Sequence, residues 1–299
     1  MKNDVIRAKK LSSNGTIGMF CPSHVANMEI YDTIISTIEG LGYMVKLGHN
    51  FTGDSYGYAA STKERADDLN DLVADKNVEM ILFSGGQSAA EVLPYINYEN
   101  IRQNPKIFSS YSDATSILNA VYAKTGLVTY YGFGAGEFFD LSYHDYDQFH
   151  SNFVNGEANS FSGKFKVLNG GRCEGTLIGG YTALFGLMLA NPFFSYNPKE
   201  KYLLFLEDHE RFSNIGSVAT YLAFIGQSRF ICNVTGLIFG HYSENTPSEL
   251  FSCLERFGKT YNIPVVYTDE FGHGKKHAIL PIGETASLDT DMQTLVIQY

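Results

Sequence analysis

The sequence predicts an α/β protein whose first half forms a parallel sheet with helices on both faces. Two observations support this class. Short apolar runs alternate with segments whose apolar residues recur at helical spacing, and turn residues end several of these runs. The chain has 299 residues, enough for one large domain or two of ordinary size. At this length a hydrophobic core can form without disulfides or metal ions.

Four strands and the helices between them are predicted in the first half. Each strand is a short apolar run, and the carboxyl ends of parallel strands are where binding groups collect. In chain order, the predictions are a strand at Thr16–Phe20, a helix from Ile30 to Gly40, a strand at Tyr43–Leu47, a helix from Lys63 to Lys76, a strand at Met80–Phe83, a helical segment from Ala89 to Tyr95, a strand opened by Lys106 and a helix containing Ile117, Leu118, Val121 and Tyr122.

The alternation is interrupted between residues 138 and 162, where the chain is aromatic, polar and irregular. We interpret this segment as a linker or lid between an N-terminal domain, residues 1–150, and a C-terminal domain, residues 163–299. The second half begins with a strand from Lys164 to Leu168, followed by glycine-rich turns. A helix is then predicted from Tyr181 to Leu189, with later strands at Tyr202–Leu206, Val234–Phe239, Val265–Tyr267, Ala278–Leu280 and Leu295–Ile297.

Charge and cysteine usage limit the classes of function. The formal charge is −10 without any cluster of Lys or Arg, which argues against nucleic acids and anionic membranes as partners. Because Cys21, Cys173, Cys232 and Cys253 are far apart, without a C-x-x-C pair, we predict buried, reduced thiols. No apolar run follows Met1 as in a signal peptide, and none is long enough to span a membrane, so we expect a cytoplasmic protein.

Ser112 lies in a short polar segment between a predicted strand and a predicted helix. At such a turn the side chain is raised clear of its own backbone, and the free N–H groups of the helix point toward anything bound to its oxygen. The position therefore suits a nucleophile. It also suits a helix cap, because Ser, Asp and Thr are the preferred capping residues.

Two other polar segments can complete a catalytic relay with this serine. One predicted strand runs directly into Glu207, and His273 lies between two glycines, which allow a ligand to approach closely. Serine, histidine and a carboxylate supply the nucleophile, the base and the group that orients the base. The Gly85-Gly86 turn can add a backbone N–H to an oxyanion hole. Plainer alternatives are a solvated loop, a surface histidine and an ordinary tight turn.

The sequence gives less support to a zinc site, a phosphate-binding loop or an ordinary α/β-hydrolase. Glu270, His273 and His277 have a spacing that can ligate zinc on a helix, but glycines at positions 272 and 274 disfavour a regular helix there. The glycines between positions 170 and 180 are not followed by Gly-Lys-Ser/Thr, so a phosphate loop is not supported. We therefore expect no metal and no cofactor. The elbow at Ser112 also departs from G-x-S-x-G, which argues against an ordinary α/β-hydrolase.

Taken together, the motifs resemble those of the serine LD-carboxypeptidase family, which includes the microcin C self-immunity peptidases. The resemblance runs nearly end to end, and the order and spacing of the motifs carry it. They are Cys21-Pro22-Ser23, Tyr58-Ala59-Ala60-Ser61, Glu64 to Asn70, Ser84-Gly85-Gly86, Leu93-Pro94-Tyr95, Tyr111-Ser112-Asp113, Leu177-Ile178-Gly179-Gly180, Leu206-Glu207-Asp208, Gly272-His273-Gly274 and Leu280-Pro281-Ile282-Gly283.

The resemblance implies a Ser–Glu–His triad, which maps onto Ser112, Glu207 and His273. It implies backbone N–H groups of Gly86 and Asp113 as the donors of the oxyanion hole. It also implies a flavodoxin-like N-terminal domain with a smaller α/β C-terminal domain, an active site between the two domains, and a homodimer.

Departures from the family pattern concern substrate choice. Ser84 stands where murein-recycling members typically carry arginine, and Ser84, Gly85 and Gln87 are our candidates for substrate binding. The stretches Gly86-Gln87-Ser88 and Asn104-Pro105-Lys106 are more similar to the microcin-immunity branch. However, immunity members often use a tryptophan to stack on the nucleotide base, and this chain has no Trp. Aromatic residues between positions 138 and 149 are candidates for that platform. Tyr181, after the paired glycines Gly179 and Gly180, stands where the family has an asparagine.

The sequence therefore predicts a serine peptidase that hydrolyses an amide bond near the C-terminal end of a short peptide-like substrate. We favour LD-carboxypeptidase activity, the release of terminal D-alanine from a murein tetrapeptide. One alternative is an immunity-type hydrolase of peptidyl- or aminoacyl-nucleotide amides. The other is a non-catalytic relative that kept the fold as a binding module.

Overall fold

Two β-sheets organise the chain, and helices pack around them. The computed structural model describes residues 5–157 and 165–298. Within them the first sheet has six strands and the second has seven. The predicted α/β class is confirmed. No helix in the described ranges is both long and apolar enough to cross a membrane.

The first half follows the predicted alternation closely. Its strands are largely buried except the edge strand Met44–Leu47, and its two longest helices begin at side-chain caps, Asn27 and Ser61. The elements are β1 (Thr16–Phe20), α1 (Met28–Gly40), β2 (Met44–Leu47), α2 (Thr62–Ala74), β3 (Val78–Phe83), a 3₁₀ helix at Ala89–Tyr95, α3 (Tyr98–Gln103), β4 (Ile107–Ser110), a 3₁₀ turn at Ser112–Ala114, α4 (Thr115–Thr125), β5 (Thr129–Tyr131) and a 3₁₀ turn at Gly136–Phe138.

The second half contains more regular structure than the sequence pattern indicated. The helices at Tyr143–Phe149, Ile215–Gln227 and Ser248–Tyr261 and the strand at Thr285–Asp289 were not predicted, nor were α3 and β5 in the first half. The elements are α5 (Tyr143–Phe149), a π-helical turn at His150–Asn155, β6 (Lys166–Asn169), β7 (Arg172–Tyr181), α6 (Thr182–Met188), β8 (Tyr202–Glu207), α7 (Ile215–Gln227), a 3₁₀ helix at Arg229–Asn233, β9 (Val234–His241), α8 (Ser248–Tyr261), β10 (Val265–Gly272), β11 (Leu280–Ile282), β12 (Thr285–Asp289) and β13 (Thr294–Gln298).

The first sheet has the strand order β11-β5-β4-β3-β1-β2. Strands β1 to β5 are mutually parallel, and β11 pairs antiparallel with β5. The second sheet has the order β13-β12-β7-β8-β9-β10-β6, with β7 to β10 parallel at its centre. Polar segments follow the carboxyl ends of β3, β4, β8 and β10, as expected for an α/β site.

Two expectations about local structure were wrong. The glycine-rich segment before Tyr181 is not a set of turns but the long strand β7. Glycine has low strand propensity, but here it permits close contact: a Cβ at Gly175 would lie 2.6 Å from the backbone nitrogen of Leu203. Residues 143–155 are helical rather than irregular, because Phe149 and Phe153 pack into the core. The remainder of the predicted linker, residues 158–162, lies outside the described residues, as do Met1 and Lys164.

The cysteine prediction holds only in part. All four cysteines are free thiols, and Cys21 and Cys253 are buried. Cys232 is exposed, however, and Cys173 is half-buried. Cys232 lies in the 3₁₀ helix before β9, where no apolar periodicity marks a buried face. Burial raises the pKa of the Cys21 thiol to about 12, so this side chain stays protonated at neutral pH.

Helix α4 joins the two sheets. The Asn119 side-chain amide donates a 2.8 Å hydrogen bond to the Gly179 carbonyl, and the Tyr181 N–H donates to Thr115 Oγ1 at 2.9 Å. Gly180 has a φ of +137°, and a Cβ there would lie 2.6 Å from Thr115 Oγ1. The absence of a side chain therefore lets β7 approach the helix.

Replacing Gly180 should test this close approach. Gly180→Ala adds a methyl against Thr115 at a backbone angle that L-residues rarely adopt. We expect the free energy of unfolding to fall by about 2 kcal/mol or more, measured by urea denaturation. Gly40→Ala is the matched control, because no atom lies within 4 Å of its added Cβ. Equal stability of the two variants would contradict the role assigned to Gly180.

Candidate active site

Ser112 occupies a strained turn at the carboxyl end of β4. Its φ is +57°, in the left-handed region that non-glycine residues seldom occupy. Strain of this kind costs on the order of 1–3 kcal/mol and is concentrated at functional sites. The turn is fixed by Thr115, whose hydroxyl donates a 2.6 Å hydrogen bond to the Ser112 carbonyl. The N-cap of α4 is Ala114, without a side-chain cap, so the Ser112 hydroxyl does not cap this helix.

His273 contacts both other members of the predicted triad. Its Nε2 lies 3.0 Å from Ser112 Oγ, and its Nδ1 lies 2.9 Å from Glu207 Oε2. An ionised carboxylate can only accept hydrogen bonds, so Nδ1 carries the proton and Nε2 is left as the acceptor for the serine hydroxyl. The tautomer that a general base requires is therefore set by Glu207.

Tyr131 closes the hydrogen-bond network, and the sequence contained no signal for it. Its hydroxyl donates to Glu207 Oε1 at 2.6 Å and accepts the Ser112 N–H at 3.0 Å. A closed circuit results, from Ser112 through His273, Glu207 and Tyr131 back to Ser112. Burial, followed by the Glu207 charge, holds the pKa of Tyr131 well above its usual range, so the phenol remains a donor.

The environment of His273 favours its charged form. Burial lowers the pKa of this histidine, but the charge and hydrogen bond of Glu207 outweigh burial, and the net pKa is raised. Glu207 is 0% exposed, so its interaction with the imidazole is little screened by water. An imidazolium that forms when a proton leaves Ser112 is thereby stabilised.

Asp113 ties the Ser112 turn to the segments that follow β1 and β3. Its buried carboxylate accepts hydrogen bonds from Ser23 Oγ at 3.1 Å and from the Ala89 N–H at 3.0 and 3.1 Å. A Cβ at Gly86 would lie 1.9 Å from Ser23 Oγ, so only glycine fits there. These contacts hold Gly86 and Asp113, the two predicted oxyanion donors, in the wall that also contains Ser112.

A cavity of about 300 Å³ opens at Ser112. One wall is the polar segment from Gly86 to Ser88, and the opposite wall is apolar, with Tyr181, Leu184 and Phe212. Aromatic rings also surround the histidine: the centroids of Tyr111, Phe212 and Tyr181 lie 5.1, 5.4 and 5.6 Å from that of His273. The cavity can therefore accept a small ligand with a polar edge and an apolar edge.

The sequence-predicted binding residues lie at different depths. Gln87 is exposed and lines the cavity, and Gly85 is exposed at the adjacent turn. Ser84 is buried at the end of β3. The aromatic segment 138–149 contributes no residue to the lining of this cavity, and Phe138 and Phe149 belong to the core. The rings near the site come instead from positions 111, 181 and 212, which only the folded arrangement brings together.

The rival zinc residues have separate partners. Glu270 pairs with Lys276 at 2.6 Å, and His277 Nδ1 lies 3.1 Å from Asp145 Oδ1. His273 contacts Ser112 and Glu207 as described above. Among the described residues, no group of three His, Cys, Asp or Glu side chains has an arrangement that could hold a metal ion.

Comparison with known proteins gives a consistent result over nearly the whole chain. Residues 17–132 match the LD-carboxypeptidase N-terminal domain, and residues 174–288 match the LD-carboxypeptidase C-terminal domain. The probable murein peptide carboxypeptidase of Bacillus subtilis (strain 168) is 29% identical, with 98% of this chain and 94% of that protein covered. The Microcin C7 self-immunity protein MccF of Escherichia coli is 25% identical, with 97% and 95% covered.

Solved structures share the same fold. MccF in complex with aspartyl sulfamoyl adenosine matches with a TM-score of 0.86 at 22% identity, and the match covers 98% of each chain. Because the two matched domains together span most of the residues, the chain belongs to the LD-carboxypeptidase family and is a peptidase.

Proposed function

We propose that this protein hydrolyses an amide bond near the C-terminal end of a short peptide-like substrate, with Ser112, His273 and Glu207 as its triad. One observation carries the proposal: an unbroken hydrogen-bonded chain runs from Ser112 Oγ through the imidazole to a fully buried carboxylate. A serine hydroxyl is a weak nucleophile at neutral pH, and such a chain is what activates it.

In the first half-reaction, His273 Nε2 takes the hydroxyl proton while Ser112 Oγ attacks the carbonyl carbon of the substrate. The carbonyl oxygen becomes an oxyanion, and the backbone N–H groups of Gly86 and Asp113 are the proposed donors to it. The imidazolium then gives its proton to the leaving nitrogen. The C–N bond breaks, the amine departs, and an ester remains on Ser112.

In the second half-reaction a water molecule replaces the amine. His273 removes one proton from the water, the resulting hydroxide attacks the ester, and a second oxyanion forms at the same place. Its collapse releases the acid, and the proton on the imidazolium returns to Ser112 Oγ. Throughout both steps Glu207 holds the imidazole orientation, and Tyr131 holds the second oxygen of Glu207.

For the substrate we favour a murein tetrapeptide that loses its terminal D-alanine. The B. subtilis relative is named as a probable murein peptide carboxypeptidase. The cavity at Ser112 lies at the lower end of the usual volumes for ligand sites, which fits one amino-acid residue better than a nucleoside. The apolar wall of Leu184 and Phe212 suits a small side chain such as a methyl group.

The second candidate is hydrolysis of an aminoacyl-nucleotide amide. The E. coli relative is a self-immunity protein, and MccF was solved in complex with aspartyl sulfamoyl adenosine. The similarity of the segment from Gly86 to Ser88 to the immunity branch favours this reading. The exposed ring of Phe212, at the mouth of the cavity, is the candidate to stack on a base.

We also propose that the protein acts in the cytoplasm as a homodimer, with residues 1–150 and 163–299 as its domains. The family resemblance supports the dimer and the domain division. The net charge of −10 supports partners other than nucleic acid or anionic membranes, and leaves small molecules as substrates. No cofactor takes part in the proposed reaction.

Removing the nucleophile should abolish turnover without unfolding the protein. We expect Ser112→Ala to lower kcat on the order of 10³-fold or more, measured by mass spectrometry of released product. Ser36→Ala, at an exposed position of α1, is the matched control and should keep wild-type activity. Near-normal turnover by the purified Ser112 variant would mean that this serine is not the nucleophile.

The carboxylate should act through the histidine. We expect Glu207→Gln to lower kcat on the order of 10³-fold, because the amide no longer stabilises the imidazolium. In the wild type, His273 must be neutral to accept a proton and its pKa is raised, so kcat/KM should rise with pH through a midpoint above 6.5. In the variant that midpoint should move to lower pH. Glu270→Gln, the control variant, should leave kcat and the pH midpoint unchanged. Loss of activity in EDTA and its rescue by zinc would favour the metal alternative.

A two-substrate assay should decide between the candidate reactions. The wild-type protein is incubated separately with a murein tetrapeptide and with an aminoacyl-sulfamoyl adenosine, and products are identified by mass spectrometry. We expect release of D-alanine from the tetrapeptide at a higher kcat/KM. Cleavage of the nucleotide conjugate alone would show that the immunity-type reading is correct. Binding of either compound without cleavage would favour the non-catalytic alternative.

A further inference from the structure

A second cluster of titratable side chains lies beside the triad. His277 Nδ1 is 3.1 Å from Asp145 Oδ1, and His277 Nε2 is 3.9 Å from Glu137 Oε1. Asp145 and Glu137 are buried, and His277 is largely buried. The ion pairs found among the described residues give these two carboxylates only His277 as a cationic partner. Neutral donors add to this pairing, since Glu137 accepts the Gly134 N–H at 2.6 Å and Asp145 accepts the Ser142 hydroxyl at 2.7 Å.

Tyr111 connects this cluster to the triad. Its ring centroid lies 5.8 Å from that of His277 and 5.1 Å from that of His273. The charge of Glu137 is the first cause that raises the pKa of this tyrosine, followed by burial. One aromatic ring thus separates the two histidines, so charge in the cluster acts on His273 through protein rather than through water.

The cluster also holds the loop that carries His273. After β10 the chain runs from His273 to β11, and Ile279 donates its N–H to Gln148 Oε1 at 3.0 Å. Together with the His277–Asp145 contact, this fixes the loop to α5 at two points. Gly132 lies under the same loop, since a Cβ there would be 2.3 Å from the Ala278 carbonyl. His277 is therefore placed to affect both the position and the charge of the catalytic loop.

At both histidines, burial and the neighbouring carboxylates shift the pKa in opposite directions. Burial lowers the pKa of His277, but the hydrogen bond to Asp145 and the charge of Glu137 raise it overall, which favours an imidazolium. Burial alone would raise the pKa of Asp145, but its hydrogen bonds with His277 and Ser142 lower it. The groups that face His273 are Glu207, Asp208, Glu137, His209, Tyr111 and Tyr181, and those that face His277 are Asp145, Glu137, Glu207 and Tyr111.

We propose that His277 is a positioning residue for the triad: as an imidazolium it neutralises Glu137 and Asp145 and sets the pH range in which His273 acts as a base. The proposal rests on the proposed function for its effect on turnover. The predicted effect of His277 on the titration of His273 depends only on the geometry of the cluster. Without His277, the negative charge of Glu137 and Asp145 would act on His273 uncompensated and would favour the protonated, inactive form of that imidazole.

The test follows the titration of His273 directly, by NMR of its imidazole, assigned by comparison with His273→Gln. In His277→Gln we expect the midpoint to move to higher pH by several tenths of a unit to about one unit. In Glu137→Gln, which removes a negative charge and keeps an acceptor oxygen, it should move to lower pH. The double variant should return toward the wild type. Unchanged midpoints, or shifts of the same sign in both single variants, would overturn the proposal.

Kinetics add an independent readout. The midpoint of the acid limb of kcat/KM should follow the NMR midpoint and therefore move to higher pH in His277→Gln. We also expect kcat of this variant to fall about 3- to 10-fold, because the loop that carries His273 is held less firmly. A lower kcat with an unmoved limb would show a merely structural role and would overturn the proposal. If the wild type cleaves neither test substrate, the proposed function fails, yet the NMR titration still decides the inference about His277.

Discussion

The burial of the Glu207 carboxylate is the constraint on which the site depends. A charged group removed from water costs several kcal/mol unless hydrogen-bond donors replace the water. Glu207 is 0% exposed, and its carboxylate is hydrogen-bonded to the Tyr131 hydroxyl and the His273 imidazole. One donor comes from the first sheet and the other from the loop after β10. The carboxylate can therefore be satisfied only when both sheets are in place.

The same requirement explains why the two sheets approach so closely. Gly180 permits β7 to lie against α4, the helix that follows Ser112, and Asn119 bonds the neighbouring carbonyl. Strand β11 comes from the second half of the chain but pairs with β5, the strand that carries Tyr131. The loop bearing His273 is thus held between a strand of the second sheet and a strand of the first. The serine and its base meet across that junction.

The charge distribution at the junction combines two kinds of group. In the proposed triad, one buried carboxylate, Glu207, favours the imidazolium form of His273. The neighbouring cluster places two further carboxylates close by, and His277 contacts both of them. The cavity at Ser112 is lined by polar and apolar residues together with Asp113, and Tyr181 and Phe212 are its aromatic residues. The carboxylates that raise the pKa of His273 and the residues that line the cavity therefore come from different parts of the chain.

Local pattern in the sequence was sufficient for much of the framework. Apolar runs and helical spacing predicted β1 to β4 and the helices between them except α3, because these elements are stabilised mainly by contacts that recur at period 2 or 3.6. The elbow at Ser112 and the polar segments at Glu207 and His273 could be identified as candidates, because each follows a strand end. Strand β7 was missed since glycine signals turns locally, whereas here neighbouring backbones require it.

What only the tertiary structure decided is which of these groups touch. Ser112 and His273 are 161 residues apart, and Tyr131 and Glu207 are 76 residues apart. Their contacts depend on strand order, register and the crossing of β11 between sheets. None of these leaves a periodic trace in the chain. The same holds for the contacts of His277 with Asp145 and Glu137. Side chains that meet through long-range packing are specified by the whole fold, not by the pattern around each residue.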